Sequence, residues 1–323
     1  MHQGDTLIIL PSAGIGDLLW RLPHIRAIAR QEGAVTLLTR HRTKATEWLI
    51  HDPSVKNIIY AEQKELGRAF WEVLKGKFSK SWMLHKSFSY ALIPFLARIP
   101  ERVGLGFDKQ ASLLTTKNIL PPLMKKQHMI HQLNALIELH GLSCAPEDRH
   151  PPLAKIAQQT IQKQFSSFPR PWICLGIGGS EFYKKWPIEH FIELGTQIST
   201  HHQGTIFLCG GPAEASEALQ IQEGIQQKGG NAKTVTHLTI EQAFAFISKI
   251  NLYIGNDTSL FNISASFEIP TLGLFGATPP LTYSKSIYAL ESPKKDLQGL
   301  EAMKEIKPPF VYKVLQQQKW IET

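Results

Sequence analysis

An α/β architecture of two doubly wound parallel-sheet domains follows from three features of this 323-residue sequence. Short β-rich runs alternate with helical patterns along most of the chain. The alternation lapses once, at 144-CAPEDRHPPLAKIAQQTIQKQFSSFPRP-171, and then restarts. Glycine-rich turns recur where strands hand over to helices. Alternation of this kind builds parallel sheets, because parallel neighbours need a crossover that is usually helical. The lapse is rich in proline and polar residues and has room for one helix. It sets the expected boundaries: a first domain at 1–150, a linker at 151–170 and a second domain at 171–323.

In the first half, Thr6–Leu10, Val35–Thr39, Val55–Tyr60, Ser81–His85 and Arg102–Gly104 read as strands, and Leu18–Arg30 and Met129–His140 as amphipathic helices. In the second half the expected strands are Trp172–Ile177, Thr205–Cys209, Leu252–Ile254 and Thr271–Phe275. The expected helices are Pro187–His201, Ala213–Lys228, Thr239–Ile250 and Ser259–Phe267.

With 43% apolar and 19% charged residues, the composition is that of a folded chain. The longest apolar run, 90-YALIPFLARIP-100, falls short of the ~20 residues of a spanning helix. The apolar 6-TLIILP-11 has strand length and no basic region before it, so it does not read as a signal peptide. Cys144, Cys174 and Cys209 form no C-x-x-C pair and read as free thiols, which places the chain in the cytoplasm. Of the formal charge of +8, the first 150 residues carry +7, with 20 Lys and Arg against 13 Asp and Glu. A one-sided basic surface suits a polyanionic partner or serves solubility alone.

Four segments carry chemistry, each at a strand end, where doubly wound folds bind ligands. In 10-LPSAGIGDLLWRLP-23, Gly14 and Gly16 permit positive φ and close backbone approach. Asp17 there either complements the helix dipole or accepts a proton. In 174-CLGIGGSEFYKKWPIEHF-191, the glycines, Ser180 and Lys184 suit a diphosphate, while Lys184 and Lys185 could equally be solvated surface charges. In 205-TIFLCGGPAEASEA-218, Glu214 suits either a ribose or base contact or the first turn of a helix. In 254-IGNDTSLFNISASFEIPTLGLFG-276, one of the four polar residues Asn256 to Ser259 is accounted for by helix capping. The set reads as facing a charged ligand, because burying all four without partners is costly.

Taken together, these segments resemble glycosyltransferase family 9, the ADP-heptose:lipopolysaccharide heptosyltransferases. The similar elements are 12-SAGIGD-17 with Leu22-Pro23, the K-x-W-P element at Lys184–Pro187, G-N-D-[ST] at Gly255–Thr258, and P-T-x-x-L-F-G at Pro270–Gly276. Weaker similarities are 101-ERVGLG-106 and 128-HMIHQLNALIELHGL-142. The resemblance spans nearly the whole chain. It implies a GT-B fold, two Rossmann-like domains facing each other across a cleft, with the acceptor on the first domain and the nucleotide sugar on the second. It also implies an inverting, metal-independent transfer of a heptose or related sugar from an ADP-sugar to a phosphorylated lipopolysaccharide core. Asp17 would be the general base and Lys184 would meet the diphosphate. Gly179, Ser180, Glu214, Asp257, Thr258, Ser259 and Asn262 would hold the nucleotide sugar, which is a substrate, so no cofactor is expected. No Asp-x-Asp pair or His/Cys cluster has metal-ligand spacing. The basic first half then has a use: Gly14, Gly16, Lys75, Lys77, Lys80, Lys86, Lys125 and Lys126 could meet the anionic glycolipid acceptor at the cytoplasmic face of the inner membrane. No nucleic-acid partner is expected, because no nucleic-acid-binding module stands in the sequence.

Two departures stand out. Many members continue with glycine and histidine where this chain has Ser259 and Asn262, and the first turn is one residue longer than the commoner A-x-G-D. These leave two other readings: a non-catalytic or divergent nucleotide-sugar binder, and a transferase acting on a protein or another glycan. A dinucleotide-dependent oxidoreductase is disfavoured, since neither half carries the full glycine fingerprint with its acidic residue.

Overall fold

A computed structural model describes residues 4–179, 181–276, 280 and 284–321. The chain divides at Pro152/Leu153 into two compact units, each with its own parallel sheet.

The first unit runs β1 (Thr6–Ile9), α1 (Ile15–Leu19), α2 (Leu22–Glu32), β2 (Val35–Thr39), β3 (Val55–Tyr60), α3 (Leu66–Lys75), β4 (Lys80–Met83), α4 (Phe88–Leu96), β5 (Glu101–Gly104) and α5 (Met129–Leu139). Its strand order is β3-β2-β1-β4-β5. The expected single helix over Leu18–Arg30 is two. Pro23 sits in the first turn of α2, where its missing N–H costs nothing, and the chain breaks between Trp20 and Arg21. β1 and β2 are buried along their whole length, as strands covered on both faces must be. The strand expected at Ser81–His85 is β4, which ends at Met83 and leaves His85 beyond its carboxyl end.

The second unit runs α6 (Lys155–Phe165), β6 (Trp172–Gly176), α7 (Ile188–His202), β7 (Thr205–Cys209), α8 (Ala215–Gln227), β8 (Ala232–Thr234), α9 (Ile240–Ile247), β9 (Leu252–Asn256), α10 (Ser259–Ser266), β10 (Thr271–Phe275), β11 (Ile287–Glu291), α11 (Gly299–Glu305) and α12 (Pro308–Gln317). The strand order is β11-β10-β9-β6-β7-β8, all parallel. The stretch expected as a linker, 151–170, carries α6, which belongs to this unit. Its Phe165 joins Trp172, Phe207 and Phe246 in an aromatic cluster, with the Trp172 and Phe246 rings stacked 5.9 Å apart. All three cysteines are free, with Cys174 and Cys209 buried.

In each sheet the connections run outward from a central strand, first one way and then the other. The chain order reverses between β1 and β4 in the first sheet and between β6 and β9 in the second. Helices on opposite faces leave a crevice at the carboxyl ends there, so each unit has one built-in place for a ligand.

Candidate functional site

In the second unit the crevice is made by glycines. Gly176 ends β6 and pairs in register with Gly255 of β9. A Cβ on Gly176 would collide with the Tyr253 hydroxyl, and one on Gly255 would collide with the Gly176 backbone. The pairing carries β9 two residues past its expected end at Ile254. It also delivers Asp257 and Thr258, both half-buried, beside the turn that follows β6. None of Gly176, Gly178, Gly179, Gly210 or Gly211 has positive φ, so close approach rather than left-handed backbone is what these positions use.

The two lysines of the K-x-W-P element have different surroundings. Lys185 Nζ lies 3.0 Å from Glu217 and 3.7 Å from Glu214, so two carboxylates already neutralise it. Lys184 is half-buried at the end of the short 3-10 turn Phe182–Lys184, and its ammonium has no hydrogen bond or ion pair among the described residues. Trp186 is buried, and its indole N–H donates to the Ile306 carbonyl at 2.7 Å, which fixes the turn that carries Lys184. Glu214 accepts from the Gly211 N–H at 2.8 Å, closing the turn after β7, and its carboxylate packs toward Gly178. Ser180 lies outside the described residues.

Asn256 corrects the reading of the polar quartet. It is fully buried, its amide nitrogen donates to the carbonyls of Ile177 and Gly178 at 3.1 and 2.9 Å, and its oxygen accepts from the Trp186 N–H at 3.0 Å. Every polar group of the amide is satisfied within the protein, so Asn256 is a latch that ties the β6 turn to the end of β9. Thr258 holds the N-cap position of α10, but its side chain bonds no helix amide. Its hydroxyl is 3.4 Å from that of Tyr253, whose own pKa burial pushes well up. Ser259 opens α10, half-buried. Asn262 is buried one turn on and donates to the Thr258 carbonyl at 3.0 Å. A shallow apolar recess lined by Val235, Leu238, Phe246 and Leu260 adjoins Gly210.

In the first unit, Asp17 lies in the first turn of α1, half-buried. Its carboxylate has no hydrogen bond or ion pair among the described residues, so it is not spent on capping. Gly14, the N-cap, has φ −168°, an extended geometry open to any residue, and open space where a Cβ would stand. Neither Gly14 nor Gly16 shows the positive φ expected of them. The Arg21 guanidinium donates to the Ser12 hydroxyl at 3.0 Å and to the Asp17 backbone carbonyl at 3.2 Å, without a carboxylate partner. Burial lowers its pKa, and the Asp17 charge opposes that.

Two histidines that the sequence reading passed over belong to this edge. His85 Nδ1 accepts from the Ser87 N–H at 3.1 Å, which leaves its proton on Nε2. Burial, then the charges of Arg21, Lys86 and Arg40, push its pKa down to about 4. His128 accepts from the Ile130 N–H, and burial, then His131 and Arg21, lower its pKa while Asp17 opposes. The signal for His85 was its place at the end of a predicted strand, the same place that singled out Asp17. Around Asp17 the first sheet therefore gathers positive charge and neutral N–H donors, a setting suited to an anionic molecule.

The lysines expected to meet an acceptor do not share one place. Lys75 ends α3 and Lys77 follows it, just before β4 begins at Lys80 opposite Thr6 of β1, so both lie at the amino edge of the sheet. Lys80 is paired with Glu32 and Glu101, each at 2.8 Å. Lys125 and Lys126 lie past the carboxyl end of β5, where the Leu120 N–H bonds the Leu105 carbonyl, and Lys125 is paired with Asp108. Lys86, exposed after β4, and Arg40, after β2, stand on the carboxyl edge with Asp17. Among the described residues no group of three or more His, Cys, Asp or Glu side chains is placed to hold a metal ion.

Two doubly wound units, one with glycine turns beside a lysine and the other with a carboxylate, neither charge paired among the described residues, suit a transferase. Residues 68–305 match the model of glycosyltransferase family 9 (heptosyltransferase). Lipopolysaccharide heptosyltransferase 2 of Salmonella typhimurium is 28% identical over 249 residues, covering 71% of this chain and 69% of its own. The structure of the E. coli ADP-heptose LPS heptosyltransferase II matches with a TM-score of 0.75 at 21% identity, over 98% of this chain and 100% of that one. The E. coli heptosyltransferase WaaC with ADP-2-deoxy-2-fluoro heptose matches with a TM-score of 0.73 at 16% identity, over 97% and 99%. The chain belongs to glycosyltransferase family 9, an enzyme of the GT-B fold class.

Proposed function

We propose that this enzyme transfers a heptose from ADP-heptose to the phosphorylated core of a lipopolysaccharide precursor, with inversion. The observation that carries the reading is a pair of charges unengaged among the described residues, Asp17 at the carboxyl edge of the first sheet and Lys184 at the carboxyl edge of the second. An acceptor hydroxyl has to lose a proton as it attacks the anomeric carbon, and Asp17 takes it. The departing diphosphate gathers negative charge, which Lys184, Thr258 and the backbone N–H groups of the glycine turns stabilise. Gly179, Ser180 and Asp257 complete the donor site, and the apolar recess by Gly210 receives one face of the base. Arg21, Arg40 and Lys86 face the acceptor's anionic groups. The donor is read from the relatives, which are lipopolysaccharide heptosyltransferases, and from the ADP-heptose analogue named with WaaC.

The test is a transfer assay with ADP-heptose, other ADP-sugars and UDP-sugars against a heptose-deficient lipopolysaccharide core, followed by mass spectrometry. One heptose added from ADP-heptose alone is the expected product. Donor binding without transfer to any core acceptor would instead make the chain a nucleotide-sugar binder.

A further inference from the structure

The outer face of the first unit's α3–α4 layer is not built for water. α4 reads FSYALIPFL, with no charged residue. Tyr90, Ala91, Ile93 and Pro94 are buried, yet the opposite face at i, i+4, i+7 and i+8 is Phe88, Leu92, Phe95 and Leu96, apolar throughout. Leu96 is 56% exposed, and Phe88 and Phe95 are exposed with it. A helix apolar all round belongs inside a protein or against something apolar. α3 packs beside α4 and adds exposed Leu74 and Trp71, the latter 59% exposed. Both helices return from the carboxyl to the amino edge of the sheet, so Trp71, Leu74, Phe95 and Leu96 all fall near the same edge.

That edge is also where unpaired cations collect. Lys75, Lys77 and Arg98 are exposed there, and none of the three is in an ion pair among the described residues. Nearby acids are occupied: Glu72 holds Arg68 at 3.0 Å, and Lys80 takes Glu32 and Glu101. We propose that this face docks the enzyme onto an anionic lipid bilayer, with Trp71, Phe95 and Leu96 entering the headgroup and acyl boundary while Lys75, Lys77 and Arg98 meet the phosphates. Tryptophan, phenylalanine and leucine rimmed by lysine and arginine are the composition of interfacial binding. The depth is interfacial, because no helix among the described residues is long and apolar enough to cross a membrane. The same cations would repel a second copy presenting its own. The purpose of the docking rests on the glycolipid-acceptor reading above, but the docking itself is measured apart from it.

Flotation with vesicles of phosphatidylethanolamine and phosphatidylglycerol, and separately of phosphatidylcholine alone, tests the surface. The wild type is expected to float with the anionic vesicles at least tenfold more than with phosphatidylcholine, and to be released by ~0.5 M salt, about threefold above physiological ionic strength, which shortens electrostatic reach. Phe95→Ser with Leu96→Ser, which removes two exposed apolar side chains together with the Phe95 ring's contact to Arg102, is expected to lose at least tenfold in anionic-vesicle binding while remaining cooperatively folded by thermal melt. Its transfer to a water-soluble, deacylated core acceptor is expected to match the wild type, so loss of docking and failure of the transferase reading give different results. Equal flotation with both vesicle types, unchanged flotation of the variant, or a concentration-dependent dimer abolished by the variant with no vesicle binding would each overturn the proposal.

Discussion

Lys184 and Lys185 are adjacent in sequence and opposite in circumstance, and a pair of substitutions separates their roles. Lys184→Met removes an ammonium that has no partner among the described residues. A charge-assisted hydrogen bond to the diphosphate is worth about 1.5–3 kcal/mol, so donor affinity should fall roughly 10- to 100-fold by calorimetry. Lys185→Met breaks the pairing with Glu214 and Glu217 instead, and should leave donor affinity within about threefold while lowering the melting temperature. Asn256 makes the opposite kind of prediction. Asn256→Ala leaves two carbonyls and one N–H unpaired in a dry interior, each costing about 1–3 kcal/mol, so denaturant titration should show a loss of roughly 3 kcal/mol or more. A ligand contact at Asn256 would have shown weak donor binding with stability intact.

Between them, α2 and the end of β4 make the first unit acid-sensitive. His24 of α2 bonds Asn134 at 2.8 Å, and burial pushes its pKa down to about 4, as it does that of His85. A histidine that resists protonation when folded takes up its proton near pH 6.5 when unfolded, so the unfolded chain binds more protons between those values. Stability is therefore full above pH 6.5 and is lost as the pH falls through about 4. For the buried His24 the loss is about 3 kcal/mol by that point, at ~1.4 kcal/mol per pKa unit. Melting temperatures across pH 7 to 4 should fall for the wild type and flatten in His24→Gln. Elements also show how much was legible. The strands at Val35–Thr39, Thr205–Cys209 and Thr271–Phe275 kept their expected ends because buried parallel strands are short apolar runs with abrupt polar stops, and the half-exposed edge strand Val55–Tyr60 kept its ends as well. α3 and α4 were not separately legible, since an apolar helix like α4 has no polar face to set its period. Sequence reading placed Asp17, Lys184, Asp257 and Thr258 after the carboxyl ends of strands, where the structure has them, because glycines and a charge follow a strand there. It failed where a residue's partner is distant in sequence, as with Asn256 and Trp186, 70 positions apart. For Lys75 and Lys77 the available signal was order: they precede a strand, and residues before a parallel strand lie on its amino edge.

Across both units, charge is divided unevenly, as the proposed acceptor and donor roles require. The first carries +7 of the formal +8, and its carboxyl edge gathers Arg21, Arg40 and Lys86 around Asp17. In the second, Lys184, unpaired among the described residues, stands beside the glycine turns where the proposed diphosphate would lie. Acceptor binding should therefore weaken steeply between low and high salt while donor binding changes little, and titrations of the two substrates over one salt series would show it. Equal salt slopes would contradict that division. The account as a whole turns on separating donor capture from proton removal, and Asp17→Asn does this with the smallest change of shape. Calorimetric titration with ADP-heptose alongside steady-state transfer should show donor affinity unchanged and transfer slowed roughly 10²- to 10⁴-fold, the range for a lost general base. Transfer at the wild-type rate in Asp17→Asn would contradict the account.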